Sequence, residues 1–222
     1  MAPLTPSTED YLKTIWSISE WSGLEVVPTE LARRMNLSPS TVTEAVKKLA
    51  GQGLVNHQRY GPIRLTAKGH REALRMVRKH RLIETFLYNH LEYSWEELHD
   101  EAEALEHAVS DRFITAIDGL LGHPLHDPHG DPIPRADGSM PELNVYLLTE
   151  VEPDSIVVVS QVDDDDPDVL VHLGDLGIKP GVSGTVVSHA TGLGLTNVEV
   201  GGREISLPLP AARRIRVTAE QR

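Results

Sequence analysis

The chain has 222 residues, 40% of them hydrophobic, enough for one large domain or for two to three small ones, each with its own core. It contains no cysteine, which excludes a disulfide framework and a thiolate metal site and leaves oxygen and imidazole groups as the available metal ligands. The formal net charge is -12, yet Leu31 to Arg81 holds 12 Lys/Arg against 2 acids, Glu44 and Glu72, leaving 9 bases and 31 acids elsewhere; a basic segment in an acidic chain is the charge pattern of a nucleic-acid face.

The first element runs from Ser7 to Ser19, where Ser7-Thr8-Glu9-Asp10 can cap a helix and Tyr11, Leu12, Ile15, Trp16 and Ile18 follow at helical spacing. Glu30 to Met35 reads as a short helix capped by Thr29. Asn36 to Ser40 is a turn, and a second helix restarts from Thr41 to Gly51, which together make a helix-turn-helix. Leu54 to His57 and Ile63 to Leu65 flank the turn Arg59-Tyr60-Gly61-Pro62, as the two strands of a wing would. A long helix is expected from Thr66 to about Glu92, and another from Ser94 to about Leu121. Leu74, Val77, Leu82, Ile83, Phe86 and Leu87 give more apolar surface than a wing domain needs, and a dimer interface is a natural use of it. Gly122 to Pro141, rich in Pro, Gly, Asp and His without periodicity, reads as a linker. From about Val145 short strand-like runs separated by Gly, Pro and Asp suggest a small β-barrel. No apolar run approaches membrane-spanning length, and Met1 to Thr5 lacks the layout of a secretory signal, so the expected location is the cytoplasm.

His99, Glu103, Glu106 and His107 fall on one face of a helix, and His80 and Glu84, four apart, share a face of the preceding one. Either set alone reads as a solvated charged face. Two features favour a metal centre: carboxylates and imidazoles alternate on both helices, and Leu98, Leu105 and Val109 put the stripe beside an apolar surface. A zinc-protease helix would need two His four apart with a Glu after the first, whereas Glu103 and His107 hold that spacing here. A metal-dependent hydrolase or a metal store remains open as a reading from another class. His123, His126 and His129 in the linker have the chemistry to bind metal, but scattered histidines of a flexible polar loop are the stronger reading.

On the basic side, Ser38, Ser40, Thr41 and Thr43 open the second helix of the helix-turn-helix, where hydroxyls and amides suit phosphate contact, and Lys47 and Lys48 follow one turn later. Arg59, Tyr60 and Arg64 are placed in the wing to touch backbone or minor groove. Only Glu44 and small hydroxyl side chains lie near the helix start, so base readout would rest partly on DNA shape.

The helix-turn-helix and wing, the string Arg78-Lys79-His80-Arg81-Leu82 with Glu84, and the string His99-Asp100-Glu101-Ala102 through Glu106-His107-Ala108-Val109-Ser110-Asp111 resemble the diphtheria toxin repressor and iron-dependent regulator family. Asp127 to Pro134 is similar to that family's inter-domain segment. The resemblance covers nearly the whole chain, strongly to Pro134 and weakly beyond. It implies an α+β protein: a winged helix-turn-helix over 1–72, a helical metal-binding and dimerisation domain over 73–141, and an SH3-like (FeoA-like) β-barrel over 145–222.

The resemblance further implies a primary metal site at Asp10, Glu103, Glu106 and His107 and an ancillary one at His80, Glu84 and His99, with Asp166 of the barrel aligned best to a donated ligand. Asp10 and Glu103 stand where iron-sensing members have Met and Cys, and carboxylates in place of sulfur point to Mn(II), with Fe(II) as the alternative effector. The manganese-dependent transport regulators of the family are more similar still, although Lys13 stands where some of them place a second acid. The implied protein is a homodimeric repressor of metal-uptake genes that binds double-stranded operator DNA, with neither a membrane nor a small organic substrate as partner. In its implied mechanism Asp10 joins the other primary ligands only when metal is present, relieving carboxylate repulsion and favouring the dimer geometry that fits two half-sites.

Overall fold

The computed structural model describes residues 4–23, 25–58 and 61–219. It divides into two compact units: Met1–Lys79 with Pro134–Ser139, and His80–Ile133 with Met140–Arg222.

The first unit opens with helix α1 (Pro6–Ser22), where Thr5 accepts from the Thr8 amide at the N-terminus and Gly23, at φ +63°, ends the helix by donating to the Ser19 carbonyl. Helix α2 (Pro28–Arg34) starts on Pro28 without a side-chain cap, so the expected capping role of Thr29 is replaced by the preset φ of proline. A turn through Asn36, at φ +51°, leads to helix α3 (Pro39–Gly51), capped by Ser38. Val42, Val46 and Leu49 bury one face of α3, and strands β1 (Val55–His57) and β2 (Ile63–Leu65) pair antiparallel as the wing. Helix α4 (Ala67–Leu91) begins here, and its first turn is fixed against the strand lead-in. A Cβ on Gly69 would meet the Leu54 carbonyl oxygen at 1.9 Å, and Thr66 donates its hydroxyl to the Gly53 carbonyl at 2.8 Å. Arg59 and Tyr60, expected at the wing tip, lie outside the described residues.

In the second unit α4 is followed by α5 (Leu98–Glu106) and α6 (Asp111–Leu120). The single helix expected over 94–121 is two, because the Ser110 hydroxyl accepts from the Phe113 amide and caps a fresh helix. Next come β3 (Tyr146–Leu147), β4 (Ile156–Val162), α7 (Pro167–Asp175), β5 (Ser183–Ala190), β6 (Leu195–Val200), β7 (Arg203–Pro208), α8 (Leu209–Ala212) and β8 (Ile215–Ala219). The strands form one antiparallel six-stranded sheet in the order β3-β8-β4-β5-β6-β7. Among the described residues β3 and β7 do not pair, so the SH3-like part is an open curled sheet and not a closed barrel. Its core, with Val159, Leu170, Val186 and Ile215, is continuous with Leu82, Leu98 and Ile117 of the helices.

The segment expected to be a linker is in large part packed. Asp127, His129, Asp131 and Ile133 are buried. Asp127 Oδ1 accepts from the amides of His129 and Asp131, both at 2.9 Å, which folds the segment into a turn. The lack of periodicity that suggested a linker reflects a turn held by side chain to backbone bonds, which leave no helical or strand repeat in a sequence.

Candidate metal centre and DNA-facing helix

The one-turn spacing of His80 and Glu84 on α4 puts both side chains on the buried face, with His80 Nε2 3.2 Å from Glu84 Oε1. The other ring nitrogen of His80, Nδ1, lies 2.7 Å from Glu106 Oε2. His99 stands on α5 edge-on to His80, ring centres 5.0 Å apart. Its Nδ1 lies 3.0 Å from Oδ2 of Asp164, in the turn after β4, and its Nε2 3.8 Å from Glu103 Oε1. Ligand-type atoms of His80, Glu84, His99 and Asp164 all lie within 4.8 Å of one another, as do those of His80, Glu103 and Glu106, and those of Glu84, Asp127 and His129.

The hydrogen-bond accounting around Glu84 indicates what such a pocket would accept. Both Glu84 carboxylate oxygens are buried and accept no well-aligned hydrogen bond, although His80 Nε2 stands 3.2 Å from Oε1, and His129 Nδ1 likewise makes none. His129 Nε2 lies 3.0 Å from the Trp95 carbonyl oxygen, an acceptor, so Nε2 carries the proton and Nδ1 presents a lone pair. That lone pair faces Glu84 Oε1 at 3.9 Å and Asp164 Oδ2 at 4.0 Å. Glu84, Asp164 and His129 converge in a buried setting, with His80 Nε2 3.2 Å from Glu84 and His99 Nδ1 3.0 Å from Asp164 beside them, a concentration of ligand-type atoms that a cation would draw together. The donor set, carboxylate and imidazole without sulfur, suits a divalent first-row metal.

The titration behaviour is dominated by competition between burial and neighbours. For Glu84 burial pushes the carboxyl up, but His80 above all, and His129 after it, outweigh it and hold it below the usual range. Burial likewise pushes Asp164 up, and His99 more than offsets this, leaving it well below the usual carboxylate range. Burial pulls His99 down, but Asp164 raises it net above the ordinary imidazole value. Asp127 goes the other way: burial, then Asp131 and Glu84, push it well above the usual range against the pull of Arg81.

Of the expected ligands, the second unit brings together His80, Glu84 and His99, and brings Glu103 and Glu106 to His80. His107 ends α5, its Nε2 3.6 Å from Glu106 Oε1. Asp10 lies on α1 of the first unit. The barrel residue that reaches the centre is Asp164 and not Asp166. Asp166 instead caps α7, accepting from the Val169 amide, and sits 3.7 Å from Arg214. Four consecutive aspartates gave no register, and Pro167 after Asp166 is the signal that the last one is a helix cap. Sequence reasoning also missed Asp127 and passed over His129; of the three loop histidines, His123 is exposed beside Asp118, whereas His129 is fully buried.

On α3 the polar start is satisfied internally. Ser38 Oγ accepts from the Thr41 amide and lies 2.8 Å from the hydroxyls of both Ser40 and Thr41. Thr43 donates to the Pro39 carbonyl at 2.7 Å. Lys47 pairs with Glu44 at 2.6 Å, Arg64 of the wing pairs with Glu25, and Lys48 is exposed.

A winged helix-turn-helix with a basic face, in a chain that also holds a buried carboxylate and imidazole centre, defines the class of metal-responsive DNA-binding regulators. Residues 3–63 match the model of the iron dependent repressor N-terminal DNA binding domain, and 66–135 that of its metal binding and dimerisation domain. Residues 146–219 match the FeoA domain. The iron-dependent repressor IdeR of Mycobacterium leprae is 31% identical over 229 residues, covering 98% of this chain and 99% of that protein. Among solved structures, a manganese-dependent transcriptional repressor in complex with manganese superposes with a TM-score of 0.92 at 44% identity, covering 96% of this chain and 100% of the other. The manganese regulator SloR superposes at 0.83 with 33% identity, covering 98% and 100%. The chain belongs to the iron-dependent repressor family, metal-dependent transcriptional repressors of which the diphtheria toxin repressor is a member. No helix among the described residues is long and apolar enough to cross a membrane.

Proposed function

We propose that the chain is a manganese-dependent repressor that binds operator DNA as a homodimer and controls metal-uptake genes, a regulator and not an enzyme. The observation that carries the metal is the convergence of the buried Glu84 carboxylate with His80, His99 and Asp164 in one group and with Asp127 and His129 in another. The absence of sulfur from every candidate ligand favours Mn(II) over softer ions, and the 44%-identical repressor with manganese bound supports the same choice. In this reading residues 1–72 serve DNA, 73–141 metal and dimer contacts, and the SH3-like part begins at 145.

In this reading Glu103, Glu106 and His107 with Asp10 hold the primary ion, and His80, Glu84 and His99 with Asp164 the ancillary one, with Asp127 and His129 beside them. A bound divalent cation supplies the positive charge these carboxylates lack. Asp10 then ties the DNA-binding unit to the helices in the geometry that meets two half-sites. Leu74, Val77, Leu82, Ile83 and Leu87, the surplus apolar surface expected to serve a dimer, are buried within the chain, and the exposed Tyr88 and Leu91 on α4 and Phe113 and Leu120 on α6 supply a dimer surface instead. Ser38, Ser40, Thr41, Thr43, Lys47 and Lys48 on and beside α3, with Arg59, Tyr60 and Arg64 of the wing, meet DNA.

The test is fluorescence anisotropy on the gene's own promoter, titrating Mn²⁺ against Fe²⁺ anaerobically at fixed salt. Tight binding with Mn²⁺ and much weaker binding with Fe²⁺ at equal free metal is expected. Equal responses would move the effector to iron, and metal-independent binding would overturn the reading. Asp10→Ala should lose metal-dependent DNA binding while the dimer stays intact; unchanged operator affinity would remove Asp10 from the switch.

A further inference from the structure

The turn that carries Asp127 and His129 is fixed by residues that ligate nothing. Gln161, fully buried on β4, donates Nε2 to Asp131 Oδ1 at 2.7 Å. From α4, buried Arg81 donates to the other oxygen of Asp131 at 3.0 Å and to the Pro132 carbonyl at 2.7 Å, with Asp127 Oδ2 3.6 Å from its Nε. The Val162 amide donates to the His129 carbonyl at 2.9 Å. Gly130, at φ +88°, lies so close to β4 that a Cβ would meet the Ser160 carbonyl oxygen at 1.9 Å. Asp131 is therefore gripped on its two oxygens by two different elements, and the turn is pressed between them.

We infer that Arg81 and Gln161 are positioning residues of the ancillary metal centre: they pin the 127–131 turn between α4 and β4. The His129 lone pair, the Asp127 carboxylate, Glu84 of α4 and Asp164 after β4 thus converge before any ion arrives. This rests on the reading that the centre holds a divalent metal. A preorganised ligand set spends little of its binding energy on ordering, whereas a turn released from Asp131 would have to be ordered by the metal itself. Neither residue touches the ion, so their contribution is to affinity through the position of others.

The experiment is calorimetric titration of the full-length apo protein with Mn²⁺ at fixed pH and salt, alongside thermal melting of the apo form. Gln161→Met keeps the volume and removes the amide donor. It is expected to weaken the Glu84-dependent class of sites by ~10- to 100-fold, the usual effect of losing an outer-shell partner, and to leave the other class unchanged. A contact that serves the fold alone would lower the apo melting temperature without moving that affinity, and this result would overturn the proposal. Should Gln161→Met not melt cooperatively, Arg81→Lys, which keeps the charge and loses the two-pronged grip, must weaken the same class; unchanged affinity there sinks the idea equally. Glu84→Gln in parallel separates the two layers. If it leaves the Mn²⁺ stoichiometry intact, the metal centre itself is misread, whereas loss of that class with wild-type affinity in Gln161→Met removes only the positioning role.

Discussion

The start of α3 and the pocket around Glu84 are both built from polar side chains predicted to bind something, and they treat hydrogen bonding in opposite ways. On α3 the hydroxyls of Ser38, Ser40, Thr41 and Thr43 bond one another or the helix backbone, in an exposed setting where water could have served. Around Glu84 the groups are buried, where no water competes, and both Glu84 oxygens and His129 Nδ1 still lack a well-aligned hydrogen bond. Satisfaction at the surface is ordinary capping and would exist without DNA. Dissatisfaction in the interior is costly and therefore informative, because a chain keeps it only if something pays. The comparison predicts that substitutions in the pocket change ligand affinity more than stability, and those on α3 the reverse.

The largest effect should come from Glu84→Met, which removes the buried carboxylate at little cost in volume. Mn²⁺ affinity of the ancillary class should fall by ~100-fold or more, beyond the range for outer-shell partners. The apo protein should keep its stability within about 1 kcal/mol, because the burial cost that is removed and the attraction to the neighbouring imidazoles that is lost offset each other. A larger loss of apo stability would mean that Glu84 is structural, and the contrast with α3 would fail.

A second effect follows from the His99–Asp164 pair. His99 is raised, so its contribution to apo stability is complete below the ordinary imidazole value and is lost as pH rises through its folded value. Asp164 is depressed, so its contribution is present above the ordinary carboxylate value and is lost as pH falls through its folded value. The pair therefore stabilises the apo form most between the two ranges. Metal affinity runs against this at the upper end, since an ion must displace the His99 proton, and apparent affinity should rise ~10-fold per pH unit below the raised value and level off above it. Calorimetry and apo melting between pH 6 and 8.5 should show the two quantities moving in opposite directions.

On α3 the comparable substitution is Ser38→Ala. It should cost about 1 kcal/mol of stability, the usual value of an N-cap, seen in urea denaturation. Metal affinity should not move.

Helix periodicity made the helical half of the chain legible, because His80 with Glu84 and His99 with Glu103 are local repeats that survive in a sequence. The winged helix was legible for the same reason: Ser38-Pro39 and the paired apolar runs of the wing are short-range signals. What was not legible depends on contacts across long separations. Nothing near Asp164 marks it as the partner of His99, 65 positions away in the chain, whereas Asp166 was the aspartate favoured by alignment. His129 looked like loop composition because its burial is decided by Trp95 and Gly130 packing on other elements. The break between α5 and α6 was local and readable, since Ser110-Asp111 is a cap signal inside an apolar-periodic stretch, yet the periodicity continued through it and outweighed the cap.

The smallest effect, and the one that tests whether the surface of α3 is idle until DNA arrives, concerns Glu44. Its carboxylate and the Lys47 ammonium are both largely exposed and pair at 2.6 Å, a contact worth ~0–1 kcal/mol to the fold. In the free protein Lys47 is therefore already partly neutralised. Glu44→Gln removes one negative charge from the DNA-facing helix, so phosphate contact by Lys47 no longer competes with an internal pair. Non-specific DNA affinity at low salt should rise several-fold, and the dependence of log affinity on log salt should steepen by about one contact, ~0.9. Stability should stay within about 0.5 kcal/mol. If Glu44 instead accepts from a base amino group in the operator, the same variant weakens specific binding while strengthening non-specific binding, and the ratio of the two measured on operator and scrambled duplexes separates the cases.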